Sequence, residues 1–518
     1  MLKRNRTQFD FFTLEVYSKL LPNDHLLVQV DQMIDFETLF EKMSVKYSNI
    51  GRGSKDPVMM IKIMLLEYIY GYSDVQMEKF IQTDIAIRWF LKLNLDEKGP
   101  DATTISHFRV NRITEKDTET FFNEIVKIGI DKGVVKAQRF IIDSTDVAAN
   151  SNYPSEKKLL HSAFDNIMKQ MNKEDPVAVA ILEAERSKVI KALKLKDADY
   201  SAKELAFVLK EIIESIPSEK INYYIQRREF EKSYKLLFDL FKQQFSSNGN
   251  KIVSVVDSDA RIAHKSSGNV KKGYKNHIII DEESEIIISS LQTPFNVNDD
   301  KKLIAIIEKS ERDHGLKPAE VSCDKAYGTY ENRQYLEERN IQGHIAFYNN
   351  TEKNKENIYF GIDDFRVSED LDYAICPAGI KTYNYMTSTK GLSADEGTIN
   401  FKFPKDKCKK CLLNNQCVRK KKTAKSPGIR TLSVDLRYST VLKAKTHNNT
   451  KAFKTAYNRR YIVERRFATL VKNHGLRRSR YLGMVATSKH ILMANLACNV
   501  IRLLKLSQQF KSRALYAT

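Results

Sequence analysis

The sequence predicts an α/β protein, and three observations carry that prediction. Apolar residues recur at helical spacing before about residue 115 and again between 155 and 248. Short strand-type runs, Phe140–Ile142 and Glu320–Cys323, each lead directly into an acid, Asp143 and Asp324. A lysine-rich stretch with four cysteines, from about 348 to 445, then interrupts the strand pattern.

In chain order, Asp56-Pro57 makes an N-cap and first-turn pair, followed by Val58, Ile61, Leu65, Tyr68 and Ile69 at helical spacing up to Gly71. Ser73 and Asp84 can cap two further helices, and a fourth starting near Asp101 carries His107, Arg109 and Arg112. Short helices with tight turns suit a helix-turn-helix-like DNA reader. Phe140–Ile142 then reads as a buried strand ending on Asp143, although Asp146 could equally cap a turn there.

Residues 155 to 248 read as helical and heavily charged, with a capping box at Ser201 to Glu204 and an apolar stripe through Leu205, Val208, Leu209 and Ile212. Such an insertion packs on itself or on a second protomer. Strand signals return at Ile252–Val256, Asn276–Ile280 and Glu285–Ser289, the pattern of an antiparallel meander. Val297–Asp313 reads as a helix, Glu320–Cys323 as a strand, Tyr330–Arg339 as a helix and Ile341–Phe347 as a strand. A last amphipathic helix spans Thr487 to about Leu506.

The chain of 518 residues carries a formal net charge of +20, which favours an anionic partner. No apolar run approaches a membrane span and no signal peptide is visible, so nucleic acid is preferred over membrane, in a reducing cytosol. Six cysteines are few for this length. Cys376, Cys408, Cys411 and Cys417 cluster as a plausible four-thiolate structural zinc site, beside Lys405, Lys407, Lys409, Lys410 and residues 419–422 as a basic patch.

Charge is distributed most unevenly near the C-terminus. Residues 451–480 hold ten Lys or Arg and one acid, Glu464. On a regular helix Tyr457, Arg460, Glu464 and Ala468 share a face, so the carboxylate sits among cations. An ordinary Arg460–Glu464 ion pair is one explanation. The other is a divalent cation standing between carboxylate and phosphate. Asp143, Asp324 and Glu464 together form a possible carboxylate triad, since acids at strand ends and an acid from a covering helix can converge on shared cations.

At these residues the chain resembles the DDE transposases of bacterial insertion sequences, in the branch with a Tyr-Arg-Glu-Lys signature. Tyr457, Arg460 and Glu464 match the spacing Tyr-x2-Arg-x3-Glu. The lysine position holds Val471, and Lys472 lies one residue late, turned about 80° from Glu464 on a regular helix. Ile142-Asp143-Ser-Thr145, Asp259 to Lys265 with Gly273-Tyr-Lys275, Cys323-Asp324-Lys-Ala-Tyr327 and the N-terminal stretch Tyr68 to Arg109 also match.

The resemblance implies a ribonuclease H-like mixed sheet core in which Asp143, Asp324 and Glu464 bind two Mg²⁺ (or Mn²⁺) ions. It implies cleavage at transposon ends followed by strand transfer from the freed 3′-hydroxyl. Tyr457 and Arg460 would contact phosphate, with Lys472, Lys275, Arg465, Arg477 and Arg478 as further DNA contacts. The partners implied are double-stranded DNA, as transposon ends and target, and a second protomer in the DNA complex. The location implied is the bacterial cytoplasm, at the nucleoid.

Six segments follow: a helical N-terminal DNA-binding domain (1–115), core parts at 116–154, 249–347 and 446–518, a helical insertion (155–248) and a basic four-cysteine insertion (348–445). A transposon-derived DNA-binding protein without catalysis and a metal-dependent nuclease of the same fold are the alternatives.

Overall fold

The structure is a computed structural model that describes residues 8–44, 53–197, 199–246, 250–266, 269–347, 359–389, 397–418 and 428–516. The chain divides into two compact units. The first comprises Met1–Ala137, Asp143–Lys317 and Ile462–Thr518; the second comprises Gln138–Ile142 and Pro318–Tyr461.

The first unit opens with helices α1 (Phe11–Leu20), α2 (Leu26–Met33), α3 (Phe36–Ser44), α4 (Pro57–Tyr70), α5 (Asp74–Thr83), α6 (Ile85–Phe90), α7 (Ala102–Asn111) and α8 (Glu115–Asp131). Local chemistry fixes their starts. Asp56 accepts from the N–H groups of Val58 and Met59, Ser73 and Gln76 close a capping box, and Asp84 and Asp101 each cap a first turn. Gly71 ends α4 in the left-handed conformation, φ 74°.

Strand β1 (Arg139–Ala148) continues six residues beyond the predicted end at Ile142. It has two successive partners. Arg139–Ile142 pair in parallel with a strand of the second unit, and the later residues border a strand of the first, which keeps them extended.

The insertion forms α9 (Glu156–Met171), α10 (Pro176–Lys196), α11 (Ala202–Glu214), α12 (Ser218–Ile225) and α13 (Arg228–Phe245) around a core of its own that includes Leu160, Phe164, Leu209, Leu237 and Phe241. Ile252–Val256 is not a strand. Side-chain bonds turn the backbone there: the Asp257 N–H donates to Ser254 Oγ at 3.2 Å and the Ala260 N–H to Asp257 Oδ1 at 3.3 Å.

The predicted antiparallel meander is present further on, as β2 (Arg261–Ser266), β3 (Asn269–Asp281) and β4 (Ile287–Pro294). Gly268-Asn also reads as a polar turn in the sequence, and Gly268 lies outside the described residues. Helix α14 (Leu303–His314) begins later than Val297 because residues 299–302 form a tighter 3₁₀ turn.

In the second unit, β5 (Glu320–Cys323), α15 (Tyr330–Glu338) and β6 (Gln342–Ile345) extend a parallel array in the order β1-β5-β6. The fold is therefore α/β with parallel and antiparallel strand pairs and a helical N-terminal region. Two small antiparallel sheets follow, β7 (Arg366–Val367), β8 (Ala374–Ile375) and β9 (Lys381–Thr382), then β10 (Tyr385–Thr389), β11 (Gly397–Lys402) and β12 (Thr431–Asp435). Between the last two strands come α16 (Lys405–Lys409) and α17 (Asn414–Cys417). Phe365, Phe401, Phe403, Leu432 and Val434 form the core here. Helices α18 (Tyr438–Asn448) and α19 (Lys451–Asn458) complete this unit.

The chain then returns to the first unit through α20 (Tyr461–Asn473) and α21 (Met484–Tyr516). α21 packs on α8, α4 and β4. Its Asn499 side chain accepts from the Ile287 N–H at 2.9 Å and donates to the Ile287 carbonyl at 2.8 Å, so a buried polar group docks helix to strand without an unmet donor. No helix among the described residues is long and apolar enough to cross a membrane.

Candidate nucleic-acid-processing site

Tyr457 and Glu464 do not lie on one helix. α19 stops at Asn458, and the N–H groups of Arg459 and Arg460 bond back only three residues, to Ala456 and Tyr457, in a tightened turn before α20. The single-face expectation for Tyr457, Arg460, Glu464 and Ala468 therefore fails, because a 3.6-residue period is not carried through a break in the helix. Within the second unit, Tyr457 stacks on Phe453 at 5.2 Å between centroids, and the Arg460 guanidinium lies 5.9 Å from the Tyr457 ring.

Asp143 sits mid-strand in β1, its Oδ1 accepting from the Ser144 N–H at 2.8 Å. Asp324 follows β5 as the cap of a 3₁₀ turn, its Oδ1 accepting from the Lys325 N–H at 2.8 Å. The parallel register ends on Ile142 opposite Cys323, so an acid is the next residue on each chain segment. Glu464 is exposed and lies in the first turn of α20, beside the buried Val463.

In the first unit, α20 is anchored by an acid that the sequence shows only as the first residue of the strand-type run Glu285–Ser289. Glu285, between β3 and β4, is buried and holds φ at 60°, a left-handed conformation that non-glycine residues seldom adopt. It pairs with Arg465, with Arg466 at 2.9 Å and with Arg502 of α21 at 3.3 Å. Two of those arginines directly follow Glu464, so Glu285 sets the rotation of the helix that carries it. The signal available in the sequence was a turn with four acids facing a run of cations.

Two of the expected DNA contacts differ from that expectation. Arg465 is engaged by Glu285, although half its side chain stays exposed. Lys275 is 8% exposed, and its Nζ donates to the Val297 carbonyl and to Asp299 Oδ1, both at 2.8 Å. β3 points this lysine into the fold, away from solvent. Lys472, Arg477 and Arg478 are exposed.

The basic segment after α20 is fixed to the strand that holds Asp143. The Ala148 N–H donates to the Arg477 carbonyl at 3.1 Å, and the Ser479 N–H donates to the Ala148 carbonyl at 2.8 Å. Gly273 of β3 crowds the same strand end: a Cβ there would stand 2.4 Å from the Val147 carbonyl oxygen, at φ 137°. Arg480 turns inward, donating to the Tyr72 carbonyl at 2.9 Å and lying 4.7 Å from the Tyr68 ring. In α7, His107 and Arg112 are exposed, while Arg109 is buried against Glu67 and Asp74.

In the second unit, Cys376, Cys408, Cys411 and Cys417 all line one cavity of about 30 Å³. The Ile380 N–H donates to Cys376 Sγ at 3.4 Å. Burial pushes the Cys417 thiol up, and Arg430 nearby pulls it down. Among the described residues, however, no group of three or more His, Cys, Asp or Glu is arranged to hold a metal ion. The cavity brings the four thiols together short of coordination. Residues 419–422 of the expected basic patch lie outside the described residues.

Comparison with known proteins gives two family matches. Residues 15–111 match the family described as a transposase domain (DUF772), and residues 375–504 match the family described as a transposase DDE domain. The second match takes in Glu464 and all four clustered cysteines. Among solved structures, a piggyBac transposase synaptic complex with hairpin DNA is similar over 98% of this chain and 77% of that one, with 9% identity and a TM-score of 0.30. Both matched stretches, the helical N-terminal one and the one around Glu464, are thus similar to transposase domains, the second to a DDE domain.

Proposed function

We propose that the chain binds the terminal inverted repeats of an insertion sequence and catalyses Mg²⁺-dependent cleavage and strand transfer, with Asp143, Asp324 and Glu464 as catalytic acids on a ribonuclease H-like core. One observation carries this reading: the β1–β5 register stops on Ile142 and Cys323, each followed in the chain by an acid. The family match over Glu464 supports the third member.

Three carboxylates are hard oxygen donors, a donor set that fits Mg²⁺ or Mn²⁺. When bound, two such ions lower the pKa of an attacking water and stabilise charge on the leaving oxygen. Tyr457, Arg460, Lys472, Arg477 and Arg478 hold and orient the phosphate backbone. Lys275 and Arg465 serve the fold in this reading. Two protomers bridge two ends, in the cytoplasm at the nucleoid, and the six-segment division describes the parts.

Single Ala substitutions at Asp143, Asp324 and Glu464 test the assignment. End cleavage is expected to vanish while end binding persists. Cleavage retained in all three variants would overturn it. The repressor alternative is separated by calorimetry with Mn²⁺, where it predicts no acid-dependent binding, and the nuclease alternative by strand joining with pre-cleaved ends.

We also assign structural Zn²⁺ to Cys376, Cys408, Cys411 and Cys417. Support comes from the shared cavity and the backbone N–H aimed at Cys376 sulfur, since four thiolates make a closed site that holds a loop region together. Metal analysis should find roughly one equivalent, lost when Cys408 and Cys411 become Ser and kept when Asp143 becomes Ala. Absence of zinc from the purified protein would remove this assignment.

A further inference from the structure

Helix α10 carries apolar residues on two faces. Val179 and Leu182 are buried in the insertion core, and Arg186 faces the same way, lying 4.9 Å from the Phe164 ring and paired with Asp165. On the opposite side, Val177 is 70% exposed, Ile181 63% and Leu195 89%, with Ala184, Lys188 and Ala192 exposed between them. At about 100° per residue these six positions fall within an arc of roughly 80°, a stripe about 27 Å long. An apolar stripe of this length on a surface helix marks a contact.

We infer that this stripe is an interface between two copies of the chain, with their α10 helices packed antiparallel about a two-fold axis level with Arg186. The sequence of the helix is self-complementary about that point. Val177 comes level with Leu195 of the second copy and Ala184 with Lys188, and Ile181 comes within one residue of Ala192, so every stripe residue meets another stripe residue.

Charge follows the same symmetry. Residues 176–186 hold two acids, Glu183 and Glu185, and one arginine, whereas residues 187–196 hold four lysines and no acid. Antiparallel packing lays the acidic half of each helix on the basic half of the other; parallel packing would set the lysines against one another. Lys188, the single charge on the stripe, then lies within reach of Glu185 of the second copy, twice over. A membrane surface would take the four lysines but leave Glu185 unmatched.

One helix pair is smaller than the roughly 1,200 Å² of stable complexes, so the association belongs to the micromolar range. The inference concerns the free chain and stands apart from the catalytic assignment.

Sedimentation equilibrium of the full chain, between about 1 and 100 µM and without DNA, tests it across that range. The wild-type chain should dimerise, Ile181→Asp should weaken dimerisation by roughly tenfold or more, and Glu185→Lys should weaken it several-fold. Glu185→Lys combined with Lys188→Glu should restore it, which loss of folding could not produce. Because the stripe is exposed, circular dichroism of each variant should match the wild type. A wild-type chain that stays monomeric throughout, a dimer indifferent to Ile181→Asp, or a charge swap that fails to restore association would each overturn the inference.

Discussion

Two sets of cations in the first unit invite comparison. Arg109, Lys62 and Lys275 are buried and committed: Arg109 to Glu67 and Asp74, Lys62 to Asp31 at 2.6 Å and the Phe90 carbonyl at 2.9 Å, and Lys275 to Asp299. Lys472, Arg477 and Arg478 stand exposed on α20 and the segment behind it. All six count equally toward the net charge of +20, yet only the second set can neutralise phosphates. Net charge points to an anionic partner; burial decides which cations can meet one. The buried set should govern stability and leave salt dependence alone, and the exposed set should do the reverse.

The largest effect expected is on stability. Burial pushes Glu67 up to about 8 even though Arg109 pulls it down, so Arg109→Ala would strand an acid in the interior. A loss of about 3 to 5 kcal/mol should appear as a lowered urea midpoint. Loss of DNA affinity with stability unchanged would reverse the assignment of Arg109 to the buried set.

A second effect depends on pH. Burial, with Arg480 nearby, holds His490 down at about 3, and burial likewise holds His277 at about 4, so both are neutral in the fold. In the unfolded chain they titrate near the ordinary value of about 6.5. The stability tied to these neutral imidazoles is therefore complete above about pH 6.5 and is lost as pH falls toward their folded values. For His490 the loss should reach up to about 2 kcal/mol by pH 5, and His490→Gln should remove that share from urea midpoints measured at pH 7.5 and 5.0. An unchanged slope in the variant would place the acid sensitivity elsewhere.

Smaller still is the effect on DNA binding. Arg477→Ala with Arg478→Ala should reduce the slope of log affinity against log salt by about 2, uniformly across sequences, and Lys472→Ala by about 1. Lys275→Ala should leave that slope unchanged while lowering the urea midpoint. A slope that moves with Lys275 and not with Arg477 and Arg478 would break the comparison.

What the sequence made legible was local. Asp56-Pro57, Ser73, Asp84, Asp101 and the Ser201–Glu204 box all cap helices where predicted, because a cap is settled by residues within one turn. The runs that lead into Asp143 and Asp324 are strands as predicted, because a buried apolar run is visible in one dimension.

Tertiary partners hid the rest. β1 runs on past Asp143 only because β3 takes over as its neighbour. Lys275 reads like any basic residue of a motif until Asp299 is placed against it. Glu285 reads as no more than the start of a strand because the arginines it meets lie about 180 and more than 210 residues away in the chain. The helix break after Asn458 left no Pro or Gly to announce it.

The paired bonds between Ala148 and residues 477–479 bear on how the chain is made. A ribosome releases the strand bearing Asp143 long before it has polymerised the segment that completes the strand's far end. Until then that edge must wait unsatisfied, open to chaperones or to the wrong neighbour. A message cut short before codon 477 would thus leave Asp143 on a frayed strand.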